Sequence, residues 1–263
     1  MSIALNAIMS RLQIEFRRLF VAAEAASTDA AITASDLADS EGRVRALVLE
    51  LARPADWQQL ADGWKGVQTE VDVPEPAIAV NGTDGMQLWF SVEAPLDVAR
   101  AHAFLDGLRL RYLAAVKPDR VSLMAGADSA WAASIGLSSS ASAPLETNGC
   151  WPAFVAPDLA PIFSETPWLD LPPGEEGQTR LLASVKSIKP ELFDAALARL
   201  RAWAAAEAPA AVAMGAGPRG GGSSAACHPD AKRFLLSVMN DEAAPLALRV
   251  EAAKALLPHG KLH

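Results

Sequence analysis

The chain has 263 residues, enough for one large domain or for a medium domain with an appendage. Lys and Arg total 23 against 31 Asp and Glu, so the formal net charge is −8; the surface as a whole repels a phosphate backbone, and any nucleic-acid contact needs a local basic patch. Hydrophobic residues at 51% with charged residues at 21% exclude wholesale disorder.

Two cysteines, Cys150 and Cys227, exclude a disulfide framework and a four-thiolate zinc site, and read as unlinked thiols of a reducing compartment. In chain order, Ile3, Leu5, Ile8, Met9, Leu12, Phe16, Leu19 and Phe20 recur at helical spacing, which predicts an amphipathic helix within residues 3–26. Arg11, Glu15, Arg17 and Arg18 interrupt that run before a secretory signal core forms. Nothing approaches the roughly 20 apolar residues that span a bilayer, so the expectation is a soluble, cytoplasmic chain with no membrane partner.

Residues 27–42 are small and polar and read as a loop or short capped turn. Arg43–Ala52 is dense in Val and Leu and short, which predicts a buried strand. Trp57, Leu60, Ala61 and Trp64 predict a short helix over 54–64, and the alternation of Val67, Thr69 and Val71 predicts a strand over 66–73. Ala77–Val80 and Met86–Val92 read as two strands joined by Asn81-Gly82-Thr83-Asp84-Gly85, a stretch tolerant of positive φ and hence a hairpin turn. Pro95 opens a predicted helix over 96–116, and Val121–Met124 is a further strand. The order strand, helix, hairpin, helix, strand predicts an α+β fold, a mostly antiparallel sheet covered by helices.

Residues 126–149 are dominated by Ala, Ser and Gly and read as an excursion that buries little. Six prolines within 151–173 forbid long regular elements there, while Trp151, Phe154, Phe163 and Trp168 anchor the span as a wrapping segment. Helical pattern returns over 178–206, broken at Pro190, and gives way to an Ala/Gly-rich flexible linker over 204–227. Beyond it, 230–239 and 245–257 read as a helical pair. The expected division is a core over 1–203, the linker, and a helical appendage over 228–263, which offers a partner surface or a second copy its apolar face.

Two stretches resemble known families. Residues 43–126 resemble the catalytic core of archaeo-eukaryotic-type primase-polymerases. That family places an Asp-x-Asp pair on one strand, a Ser/Gly-rich hairpin ending in x-His, and a third Asp after the next helix. The hairpin Val80–Phe90 is similar to the second motif, with Gln87 where His is usual; plasmid-type relatives can carry Gln near that position. On the first-motif strand, Glu50 and Ala52 supply one carboxylate in place of two. Residues two apart on a strand share a face, which lets Asp-x-Asp grip two cations that bridge triphosphate oxygens; Glu50 with Ala52 lacks the second grip. Glu70 and Asp72 are expected to share a strand face, and Asp119 lies near the third acidic position but before its strand.

The second resemblance is that of Lys232–Pro258 to a helical segment of phage terminase small subunits, which implies DNA contact through Lys232, Arg233, Arg249 and Lys254. Three readings follow: a non-catalytic DNA-associated replication, phage or mobile-element protein with a degenerate primase-polymerase-like core; an assembly or adaptor protein without nucleic acid; and a divergent metal-dependent nucleotidyl transferase. The last would use Mg²⁺ at Glu50, Glu70, Asp72, Gln87 or Asp119, and the first two need no cofactor. The cluster Arg100, Arg109, Arg111, Lys117 and Arg120 reads as a solvated basic surface.

Overall fold

Val, Leu and Ala at seven of the nine positions of Val44–Ala52 leave neither face of that segment polar, and it forms β1, with those seven residues 1% exposed or less. The computed structural model describes residues 10–22, 32, 34–125 and 150–214. The chain divides into two units, Met1–Ala213 and Met214–His263. The elements that follow belong to the first, apart from the final residue of the last helix.

The fold is α+β. Its strands are β1, β2 (Ala77–Val80), β3 (Gly85–Leu96), β4 (Val121–Ala125) and β5 (Ala153–Val155), and its helices are α1 (Arg11–Phe20), α2 (Trp57–Thr69), α3 (Val98–Tyr112), α4 (Glu175–Ser184) and α5 (Pro190–Met214). The strands form one sheet in the order β4-β1-β3-β2-β5, every described pairing antiparallel. Its first four strands, with α2 and α3 as the crossovers, have the interleaved βαββαβ topology of the ferredoxin-like split βαβ unit.

The expected hairpin forms at the expected residues. Val80 pairs with Met86, and Ile78 with Leu88. Met86, Leu88, Phe90 and Val92 bury one face of β3 together with Leu47, Leu49 and Leu51 of β1, and this face carries α2, α3 and α5 through Leu60, Val67, Phe104, Leu108, Phe193 and Leu197. Trp89, Val48, Ala46 and Ala79 bury the opposite face under α1 and α4, through Phe16, Leu19, Phe20, Leu182 and Val185. Trp89 is fully buried, with its ring centroid 5.0 Å from that of Phe20 and 5.6 Å from that of Phe154. Arg18 fastens α1 to α4 by donating to the Leu182 and Val185 carbonyls at the C-terminal end of that helix.

Several boundaries depart from expectation. α1 begins at a Ser10–Gln13 capping box and ends at Phe20, short of residue 26, because Val21 is already extended. The strand expected over 66–73 is the last turn of α2 and a loop. The apolar period Trp57, Leu60, Trp64, Val67 continues unbroken at helical spacing, and the alternation after Gly66 fitted either period. The helix closes where Glu70 and Val71 both donate to the Gly66 carbonyl, and Asp72 adopts a left-handed φ of 63°. β3 runs on to Leu96 through a register shift at Val44/Ala46, so Pro95 lies in its irregular end and α3 starts only at Val98.

β5 lies unannounced inside the Pro-rich segment, where Pro152 and Pro157 flank three extended residues too few to show a period. The side chain of Gln178 donates to the Phe154 carbonyl and accepts from its amide, standing in for the next strand and closing that edge of the sheet. α5 continues to Met214, across the first part of the expected flexible linker. Alanine is the best helix former, and the glycines begin only at Gly215. The excursion over 126–149, the helical pair, Cys227 and the candidate DNA contacts Lys232, Arg233, Arg249 and Lys254 lie outside the described residues.

Two glycines let α2 and α3 approach. Tyr112 lies across Gly63 and Gly66, and a Cβ on Gly66 would fall inside the van der Waals envelope of the Tyr112 ring. Gly66→Ala therefore forces the ring or the helix to move, and a loss of about 1–3 kcal/mol is expected in denaturant unfolding. An unchanged unfolding midpoint would show that the two helices are not held at this separation.

Candidate functional site

The first- and second-motif strands of the resemblance are neighbours in the sheet, and register places Glu50 directly opposite Gln87. On its other side Glu50 faces Ser122 of β4. Odd residues of β1 enter the core under α2 and α3, so Glu50 shares the opposite face with Val48 and Ala46, toward the end of the sheet where β1 finishes and β3 begins. The cluster is thus a consequence of strand parity and of one hairpin.

Hydrogen bonds run through it in one direction. The Trp89 indole Nε1 donates to Gln87 Oε1 at 2.9 Å, and Gln87 Nε2 donates to Glu50 Oε2 at 2.5 Å. Asn81 Nδ2 donates to the same Glu50 oxygen at 3.3 Å and lies 3.4 Å from Asp84 Oδ1. Asn81 Oδ1 accepts from the backbone amides of Thr83, Asp84 and Gly85 at 2.9–3.0 Å, which holds the hairpin turn shut. Gln87 is 1% exposed and Asn81 8%, so these amides are interior groups, while Glu50 is half-buried. A buried amide must find partners for both its ends, and here each does.

The space is closed around Ala52. It pairs with Gly85, and a Cβ on Gly85 would lie 2.8 Å from Asn81 Nδ2 and 3.0 Å from the Ala52 methyl. The position that carries the second carboxylate in the resembled motif is therefore filled by a methyl packed against the hairpin.

The other candidate residues are dispersed. Glu70 caps the end of α2, exposed, and its carboxylate accepts from Arg111 at 3.0 Å and from the Tyr112 hydroxyl at 3.4 Å. Asp72 is exposed in the loop after α2; it shares no strand face with Glu70, since that strand is absent. Asp119 is exposed in a 3-10 turn over Pro118–Arg120, and it is its carbonyl that accepts from Arg53. Of the five candidates, only Glu50 and Gln87 meet.

Two hard cations would need several fixed carboxylate oxygens at one place. The residues present do not fit a magnesium pair, because Glu50 has no acidic partner across Ala52 and its Oε2 is already taken by two amides. Among the described residues no group of three or more His, Cys, Asp or Glu is placed to hold a metal ion. The four arginines of the expected basic surface have local partners: Arg100 pairs with Asp194, Arg109 with Asp106 and Arg111 with Glu70, while Arg120 donates to the Ala52 and Pro54 carbonyls.

Asn81, Asp84 and Trp89 complete the cluster and were not candidates from sequence. Asn81 read only as a turn former, and nothing short of the β1–β3 register brings its side chain to Glu50. No protein-family model matches the chain, and no curated protein matches it.

Replacing Gln87 by Leu removes the donor to Glu50 and leaves the buried Trp89 N–H without its acceptor. A loss of about 1–3 kcal/mol is expected in chemical unfolding, with a change in Trp fluorescence; unaltered stability would mean that the relay is incidental.

Tyr112, the single tyrosine of the chain, has its phenol pushed up to about 12, by burial first and then by the negative charge of Glu70. A raised pKa means the folded state holds the proton more tightly than the unfolded chain, whose phenol titrates at about 10. The stabilisation is complete below about pH 10 and lost as pH rises through about 12. Ultraviolet absorbance of the phenolate is expected to stay flat to well above the ordinary tyrosine midpoint, and an ordinary midpoint with the fold intact would contradict this packing.

Proposed function

We propose that the chain is a non-catalytic DNA-associated protein, of the replication, phage or mobile-element kind, whose core is like that of the primase-polymerases with its metal grip replaced by hydrogen-bonded amides. One observation carries the proposal. Glu50 and Gln87, assigned independently to the first and second motif positions, lie face to face at 2.5 Å on neighbouring strands. The βαββαβ topology supports the same alignment, although that topology hosts many unrelated activities. Ala52 packed against Gly85 and the nearly inaccessible Gln87 support the non-catalytic reading, since they leave a triphosphate no pair of fixed carboxylates there.

DNA contact is assigned to the terminase-like segment through Lys232, Arg233, Arg249 and Lys254, since the arginines of α3 are spent on Asp194, Asp106 and Glu70. The same consumption of charge, with the formal net charge of −8, favours the second reading, an assembly or adaptor protein. The primary reading places the protein in the cytoplasm, consistent with two cysteines and with the finding that, among the described residues, no helix is long and apolar enough to cross a membrane.

Fluorescence anisotropy of the full chain on labelled single- and double-stranded DNA tests the reading. Retention at low salt is expected to weaken steeply as salt rises, and replacing the four basic residues with Ala is expected to flatten the salt dependence by about 0.9 log units per lost phosphate contact. No primer extension is expected with Mg²⁺ or Mn²⁺. A folded chain that retains no DNA at low salt decides for the adaptor. Template-directed incorporation that disappears in Glu50→Gln decides for the divergent transferase.

A further inference from the structure

The hairpin turn is an Asn-Gly sequence, and it sits where a change of charge would matter most. In such a pair the backbone nitrogen of the glycine, once deprotonated, attacks the asparagine Cγ. The new C–N bond closes a succinimide, the Cγ–Nδ2 bond breaks and ammonia leaves. Water then opens the ring to an aspartyl or isoaspartyl residue. Attack requires a free glycine N–H, a side chain able to rotate toward it, and a turn loose enough to close the ring.

The fold denies all three at Asn81-Gly82. The Gly82 amide donates to the Pro167 carbonyl at 3.1 Å, so its proton is engaged by a segment distant in sequence. Asn81 Oδ1 is fixed by the three amides of Thr83, Asp84 and Gly85 and by the Thr83 hydroxyl. The Asn81 backbone amide is tied to the Gly85 carbonyl at 3.0 Å, and the residue is 8% exposed.

The consequence of losing the amide follows from what it faces. Asn81 Nδ2 lies between Glu50 Oε2 and Asp84 Oδ1, at 3.3 Å and 3.4 Å. Deamidation replaces this shared donor with an anionic oxygen and sets three carboxylates around one point, a like-charge arrangement that a partly buried site disfavours strongly. The isoaspartyl product also adds a backbone methylene between Val80 and Met86, whose pairing the turn sets.

We propose that Asn81 is a deamidation site shielded by the fold, and that its modification after transient opening is one the native hairpin cannot readmit. The inference stands independently of any role in DNA binding.

Peptide-resolved mass spectrometry of the full chain, incubated at mildly alkaline pH with and without urea, follows Asn81 directly. Conversion in the folded chain is expected to be at least about tenfold slower than in urea, each tenfold corresponding to about 1.4 kcal/mol of opening free energy. The second Asn-Gly pair, Asn148-Gly149, gives an internal check on the chemistry in both samples. Equal rates at Asn81 with and without urea overturn the shielding. N81D, compared with the unchanged chain across pH, is expected to be less stable at neutral pH and to recover as pH falls through the carboxylate range, near about 4. If it does not fold at neutral pH, recovery on acidification reads the same effect. A stability equal to that of the unchanged chain, or a deficit indifferent to pH, overturns the charge argument.

Discussion

The burial of β3 on both faces is the constraint from which the rest of the architecture follows. Met86, Leu88, Phe90 and Val92 require a helical layer on one side, and Trp89 requires one on the other. Over Gly85–Val92 the strand has no wet face on which to set a polar residue, so Gln87 had to be satisfied internally. It is satisfied by reaching back to the Trp89 indole on its own strand and across to Glu50 on the next. The two helical layers hold the strand in place, and the hydrogen-bond relay is what that position demands of the one amide it contains.

The relay explains the chemical character of the cluster. A carboxylate that serves a metal must present its oxygens to a cavity, and amides that donate to it compete with the metal for the same lone pairs. Glu50 gives one oxygen to two amides, and Ala52, two residues on, contributes only a methyl wedged against Gly85. The same carboxylate on the same strand would mean something different with an acid at position 52 and a wider hairpin. The polar groups here close the turn and fasten it to β1.

The surface tells a parallel story. An acidic chain with arginines clustered along one helix suggests a basic patch, yet Arg100, Arg109 and Arg111 each meet an acid, and Arg111 also lies over the Trp203 ring with its guanidinium carbon 4.9 Å from the ring centroid. Glu70 gathers Arg111 and Tyr112 at the junction of α2 and α3, and its carbonyl accepts from Arg199 of α5. Apart from the Arg109–Asp106 pair within α3, these charges join one helix to the next, and the reading that involves DNA rests on residues beyond the last described helix.

Local chemistry alone determined the hairpin, the buried strand β1, the existence of a helix within 96–116 and the α+β class, because each is written in a short-range period or in a turn whose residues tolerate positive φ. That Ala52, and no second carboxylate, follows Glu50 two residues on was equally legible, since it needs only residue identities at positions 50 and 52. The end of α2 was not: Val67, Thr69 and Val71 satisfy both a helical and an alternating pattern, and only the burial of Val67 beside Leu60 decides between them. β5 escaped because three residues carry no period, and its strand character comes from the edge of β2 and the side chain of Gln178. Only the tertiary structure could join Asn81 and Gln87 to Glu50. Their hydrogen bonds span 31 and 37 residues, and such contacts are set by strand register, which belongs to the sheet as a whole and to no single stretch of the chain.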